Sequence, residues 1–254
     1  MMRPALRCIL ALACACAVAG AHAQAGFTSK SDLDALFELE GKAPYSQPYD
    51  GTLTFSALAS RFASAHGHGW RNELKIEAPK RRSLERTREH FSAIVTPTLP
   101  DGAKTIVAQY HVEGLDTILK VYVQDSADAR AFDGKAGNGV FDVVARILGA
   151  DGRERETALA TLKSGEQFRL EIRFDGGVAS VGVDSAAHGT IRTAPTPIPG
   201  DRRKVYFKFG DYAQALDPAS GKPTSSPATW DAWFRAHHID AGTVRFQQVM
   251  FVRD

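Results

Sequence analysis

Apolar and polar residues alternate with a period of two along most of the chain. The segments 105–114 (TIVAQYHVEG), 117–125 (TILKVYVQD), 140–148 (VFDVVARIL), 166–174 (EQFRLEIRF), 178–184 (VASVGVD), 204–212 (KVYFKFGDY) and 244–252 (VRFQQVMFV) each read as a strand. Turn signals such as EGLD, ADGR and DGG separate several of them. Many short strands with hairpin punctuation predict an all-β fold, a two-sheet sandwich or jelly roll. A 3.6-residue period is scarce. It predicts one helix within 30–41, capped by Ser31, and another over 227–238. Proline-rich 193–201 and flexible 217–227 read as loops flanking the 204–212 strand.

Three strands carry more polar side chains than a core face tolerates, at a spacing of two. In WRNELKIEA, Arg71, Glu73 and Lys75 share one face while Leu74 and Ile76 take the other. In AQYHVEG, Gln109, His111 and Glu113 share a face, with Val107 in line before them. In KVYFKFGDYAQ, Tyr206, Lys208 and Tyr212 share a face with Gly210, whose missing side chain leaves room for a ligand to approach the backbone. If these strands are neighbours, one sheet face holds a guanidinium, an amide, an imidazole, two phenols and ammonium groups. That inventory suits an anionic polymer.

Residues 1–23 have a short basic start, an apolar run and a small-residue AHA site before Gln24, the layout of a secretory leader. Export, periplasmic or beyond the cell, is therefore expected, with a single domain over 24–254. All three cysteines, Cys8, Cys14 and Cys16, lie in that leader, which excludes disulfide, thiolate-metal and cysteine-nucleophile chemistry from the mature chain. Two of the 31 Lys and Arg residues also lie there, and the remaining 29 balance 29 Asp and Glu. Overall charge therefore gives no reason to expect nucleic acid or membrane as partner. The basic segment 80–90 (KRRSLERTREH) reads as a solvated face, or as an attractor of polyanions if it borders a cleft.

Three motifs in chain order, RNELK (71–75), QYH (109–111) and YFKFGDYAQ (206–214), resemble those of the alginate lyases of polysaccharide lyase family 7. The resemblance implies a β-jelly roll whose concave face binds uronate chains and cleaves them by β-elimination, with neither metal nor organic cofactor. It implies that Arg71 and Gln109 hold the substrate carboxylate and that His111 and Tyr212 handle the protons. It further implies that Glu73, Lys75, Tyr206, Lys208 and Gln214 build or brace subsites. The expected protein is a secreted monomer acting on an anionic polysaccharide, alginate before glucuronan. Lys75 replaces the usual second arginine of the first motif, a point charge in place of a fork. Tyr110 stands at a position associated in the family with block preference, its side chain pointing away from the substrate, and Phe209 and Asp211 replace smaller residues in the last motif.

Other readings stand beside this one. A non-catalytic carbohydrate-binding jelly roll would share the basic face, but has no use for a matched base and acid at His111 and Tyr212. His66 and His68 in AHGHGW have the spacing of a two-imidazole metal site without a third ligand, and a glycine-rich loop is the alternative. Adjacent His237 and His238 diverge too far to share a ligand. Asp142 and Glu171, both on expected strands, are the carboxylates that glycoside hydrolysis would need.

Overall fold

The computed structural model describes residues 26–114, 117–198 and 203–254; the leader lies outside these. Among the described residues the strands form two antiparallel sheets. The first runs β1 (Phe37–Glu40), β3 (Arg71–Ile76), β14 (Lys204–Ala213), β6 (Lys104–Val112), β7 (Thr117–Gln124), β8 (Val140–Leu148) and β9 (Glu154–Lys163), with β4 (Arg82–Ser83) also against β14. The second runs β12 (Gly189–Arg192), β11 (Val178–Ser185), β10 (Phe168–Asp175), β5 (Arg88–Thr98), β15 (Thr243–Arg253) and β2 (Leu53–Phe55), with β13 (Thr196–Pro197) on β11. The sandwich agrees with the period-two reading, and the three motif strands β3, β14 and β6 are neighbours.

Facing side chains of the two sheets close the core. Phe91 of β5 meets Phe207 and Phe209 of β14 at centroid distances of 4.9 and 5.0 Å, and Phe246 of β15 meets Phe209 at 5.4 Å. Apolar burial on this scale supplies the main driving force for the fold. Tyr110 points into this core as expected. Its ring stacks on Phe174 and its hydroxyl donates to buried Glu89 at 2.8 Å.

Several local expectations are corrected. The helix near the start, α1, spans only Lys30–Leu36, and its cap is Ser29, which accepts the Asp32 N–H, rather than Ser31. The apolar pattern continues past it, but Phe37 and Ile76 pair across strands, so the chain turns extended as β1. The later helix spans Pro227–Ala236, within the expected range. Strands β5 and β9 lie outside the segments whose period of two predicts a strand. The start of β5 is hidden in the basic segment, and β9, ERETALATLK, is built from residues that favour helix in isolation. Tertiary pairing overrides that preference.

A candidate uronate-binding cleft

Cross-strand register sets the polar face. One row crosses the whole first sheet: Glu38, Lys75, Lys208, Gln109, Lys120, Arg146 and Glu156, each opposite the next. Beside it, Tyr206 pairs with His111 and His111 with Thr117; on its other side Arg71 pairs with Tyr212, Tyr212 with Ile106 and Ile106 with Tyr122. A cleft of about 530 Å³ opens over this face. Arg71, Gln109, His111, Tyr212 and Gln214 line it together with His66, His68, Lys104, Lys120, Tyr122, Arg146 and Trp233. All four residues expected to act on the substrate thus meet in one cleft.

Two bulges shape this arrangement. The pairing of β6 with β7 shifts between Ile106 and Ala108, so Ile106 joins Tyr122 and Tyr212 on the cleft side while Val107 is buried in the core. Val107 is therefore not in line with Gln109. A second shift falls between Phe209 and Tyr212 of β14. Gly210 within it has φ 150°, and a Cβ there would come 2.3 Å from the Asn72 carbonyl oxygen. The space that glycine leaves is filled by β3, not by a ligand. Beside it Asp211 points inward and accepts from the Ala57 N–H at 2.7 Å and the Thr105 hydroxyl at 2.6 Å. Complete burial pushes its carboxyl up to about 6 despite these bonds.

A chain of hydrogen bonds joins the motif residues. Arg71 Nη1 donates to Glu73 Oε2 at 3.1 Å, and Gln109 Nε2 donates to Glu73 Oε1 at 2.6 Å. The Gln109 carbonyl oxygen then faces His111 Nε2 at 3.0 Å. An amide oxygen only accepts, so Nε2 carries the ring proton and Nδ1 keeps its lone pair. Burial, followed by the charges of Lys208 and Arg71, pushes the His111 imidazolium down to about 2. His111 is therefore neutral across the physiological range, as a general base requires. Glu73 is fully buried; it braces Arg71 and Gln109 and does not itself reach a substrate.

Tyr212 is fixed from two sides. The Arg71 guanidinium lies 3.6 Å from its ring centroid, and the His68 backbone N–H donates to its hydroxyl oxygen at 2.6 Å. The loop carrying His68 docks closely on the end of β14. The Ala215 N–H donates to the His68 carbonyl at 2.9 Å, and a Cβ on Gly69 would sit 1.8 Å from the Ala213 carbonyl oxygen. Only glycine permits that approach. His66 and His68 thus wall the cleft, and no group of three or more metal-binding side chains occurs among the described residues.

The lysines are more enclosed than a subsite role suggests. Lys75 and Lys208 face each other across β3 and β14, and Glu40 accepts from both at 2.7 Å. Burial opposes ionisation of Glu40, but the two ammonium groups outweigh it and hold the carboxyl at about 2. These lysines, with Tyr206 stacked on His111 and covered by Arg81, back the cleft. Arg81, from the basic segment, also pairs with Glu113 at 2.9 Å. Lys208→Met leaves Glu40, 8 % exposed, with Lys75 alone, and lowers stability by about 3 kcal/mol. A denaturant midpoint reads this loss. Pairing the change with Glu40→Gln restores most of it, whereas an unchanged midpoint in the single variant contradicts the network.

The two carboxylates considered for hydrolysis do not meet. Asp142 is buried on β8, where it accepts the backbone N–H groups of Phe132, Asp133 and Gly134 at 2.9–3.0 Å and staples that loop. Glu171 lies on the other sheet. Partial burial raises its carboxyl, but Arg173 and Arg192 override this and hold it at about 2. Neither residue lines the cleft. His237 stacks on Trp233 at 3.8 Å, with its Nδ1 2.9 Å from the Trp233 carbonyl oxygen.

Comparison with known proteins follows the same pattern. An alginate lyase family model matches residues 28–251. The alginate lyase from Alteromonas sp. 272 is 32% identical, with a TM-score of 0.79 over 90% of this chain and 99% of that one. The polysaccharide lyase family 18 protein aly-SJ02 is 33% identical, with a TM-score of 0.77 over 87% and 96%. A substituted form of the family 7 alginate lyase A1-II′, solved with its substrate GGMG, is 18% identical with a TM-score of 0.56 over 87% and 93%, a likeness of fold. No curated protein sequence matches significantly. The family match spans all three motifs and both sheets, and the chain belongs to the alginate lyase family, the polysaccharide lyases to which its motifs point.

Proposed function

We propose that this lyase cleaves alginate by β-elimination at the Arg71–Gln109–His111–Tyr212 cluster, with a division of labour set by its hydrogen bonds. The observation that carries the reading is the relay Arg71–Glu73–Gln109–His111, which leaves a neutral imidazole beside a guanidinium whose Nε is buried without a hydrogen-bond partner. Arg71 and the second N–H of Gln109 neutralise the carboxylate of the bound uronate. His111 Nδ1 removes the C5 proton, and the freed electron pair moves into the carboxylate, giving an enolate-like intermediate that the two donors stabilise. That pair then forms the C4–C5 double bond, the C4–O4 bond breaks, and the Tyr212 hydroxyl gives its proton to the departing O4. The products are a shortened chain and one with a 4,5-unsaturated sugar at its non-reducing end.

In guluronate the C5 hydrogen and O4 lie on opposite ring faces, which suits separate base and acid. In mannuronate they share a face, so Tyr212 serves for both. Export through the leader and monomeric action of a domain over 24–254 belong to the same proposal, as does the preference for alginate over glucuronan.

His111→Ala therefore lowers turnover on polyguluronate by roughly 10²–10⁴-fold and on polymannuronate by less. In the unsubstituted protein, kcat/KM on polyguluronate shows no inflection near 6.5, because the free base persists as pH falls through that value. An inflection there that vanishes in His111→Ala would contradict the lowered imidazolium pKa, and near-normal turnover of His111→Ala on polyguluronate would overturn the assignment of His111 as base.

A further inference from the structure

We propose that Lys104 binds the carboxylate of a second uronate residue, neighbouring the one that is cleaved, at a subsite floored by Tyr122. The inference rests on the placement of the reacting sugar at Arg71 and Tyr212. Lys104 lies on β6, the strand of Gln109 and His111, and lines the same cleft. The other lysine and arginine side chains lining that cleft already have a carboxylate: Arg71 has Glu73 at 3.1 Å, Lys120 has Glu154 at 3.7 Å and Arg146 has Glu156 at 2.7 Å. Lys104 has no ion pair among the described residues. Its ammonium instead lies 4.7 Å from the Tyr122 ring centroid, with the Arg146 guanidinium 4.9 Å from the same ring.

The path from the reacting centre to this lysine is continuous. Tyr212, Ile106 and Tyr122 stand opposite one another on three adjacent strands and form one apolar cluster. That stripe spans two strand spacings, roughly 10 Å, the scale of two pyranose units. A chain anchored at Arg71 and lying along it brings its next carboxylate beneath Lys104. The surroundings also favour an anion there. Burial, then the nearby Arg146 charge, pushes the Lys104 ammonium down to about 8, with Lys120 acting in the same direction and Asp128 and Glu156 opposing. A bound carboxylate compensates the buried ammonium and offsets the repulsion from Arg146 and Lys120.

The test compares Lys104→Met, which keeps the stem, with Lys104→Arg, which keeps the charge, on mixed alginate between pH 6 and 10. Losing one charge-assisted contact raises KM about 10-fold in Lys104→Met, with a smaller change in kcat. Lys104→Arg restores most of the affinity. In the unsubstituted protein KM rises as pH passes about 8, a limb that Lys104→Met lacks and Lys104→Arg moves upward. Alginate carboxylates stay ionised throughout this range, so the limb belongs to the protein. An unchanged KM in Lys104→Met overturns the inference, and so does a fall in kcat at constant KM, which would make Lys104 a support for Tyr212. Failure of the underlying placement reads differently: Arg71→Lys and Tyr212→Phe would then keep their turnover, whatever Lys104→Met does.

Discussion

Tyr212→Phe reduces turnover by roughly 10²–10⁴-fold on both block types, the range expected when a general acid loses its proton. The substitution removes one hydroxyl and leaves the ring in place beneath Arg71, where the guanidinium sits 3.6 Å from its centroid. Binding is therefore largely kept, and the loss falls on kcat. The His68 N–H loses its acceptor, which costs about 1 kcal/mol of stability, too little to unfold the protein. In the proposed mechanism Tyr212 is both base and acid on mannuronate, so the effect there equals or exceeds that on guluronate, the reverse of the His111→Ala pattern. Near-normal turnover of Tyr212→Phe on every uronate polymer would make Tyr212 a packing residue.

Removing the fork at Arg71 has the second large effect. Neutralising the substrate carboxylate matters most once charge has moved into it, so the loss is greatest in the transition state. Arg71→Ala costs roughly 10²–10³-fold in turnover, by analogy with the loss of one oxyanion donor. The same change strips fully buried Glu73 of its cation and leaves only the Gln109 amide, which destabilises the fold by about 3–5 kcal/mol. Arg71→Lys separates the two consequences. It keeps a charge beside Glu73 but cannot offer two parallel donors, so a thermal midpoint close to that of the unsubstituted protein accompanies a turnover loss of about 10²-fold. Full turnover in Arg71→Lys would show that a point charge suffices and that the fork has no role.

The motif strands were readable because their chemistry sits at a spacing of two on segments with apolar opposite faces. Leu74 and Ile76, or Phe207 and Phe209, point to the core and leave Arg71, Glu73, Tyr206 and Lys208 on the other side. Local period alone fails at a bulge, which is why Ile106 and not Val107 borders the cleft. Non-local pairing was equally hidden. The row from Glu38 through Lys120 and Arg146 to Glu156 exists only once β1, β7, β8 and β9 are in register, and no motif marks its outer members. Glu40, which joins Lys75 and Lys208, lies in a segment whose pattern continues that of α1. His68 reaches Tyr212 by a loop whose docking depends on Gly69. Lys120 and Tyr122, two apart on β7, are a local signal for the far wall of the cleft, weaker than the motifs.

The chemistry itself is tested most directly by the product. The purified protein is incubated in parallel with polymannuronate, polyguluronate, mixed alginate, glucuronan and the neutral polymers cellulose and xylan, and each reaction is followed both by the ultraviolet band of unsaturated uronates and by new reducing ends. The account predicts that on alginate the two signals grow together, one unsaturated end for each reducing end, with neither signal from the neutral polymers. Reducing ends that accumulate without the ultraviolet band would mean hydrolysis, and would contradict β-elimination at Arg71, Gln109, His111 and Tyr212.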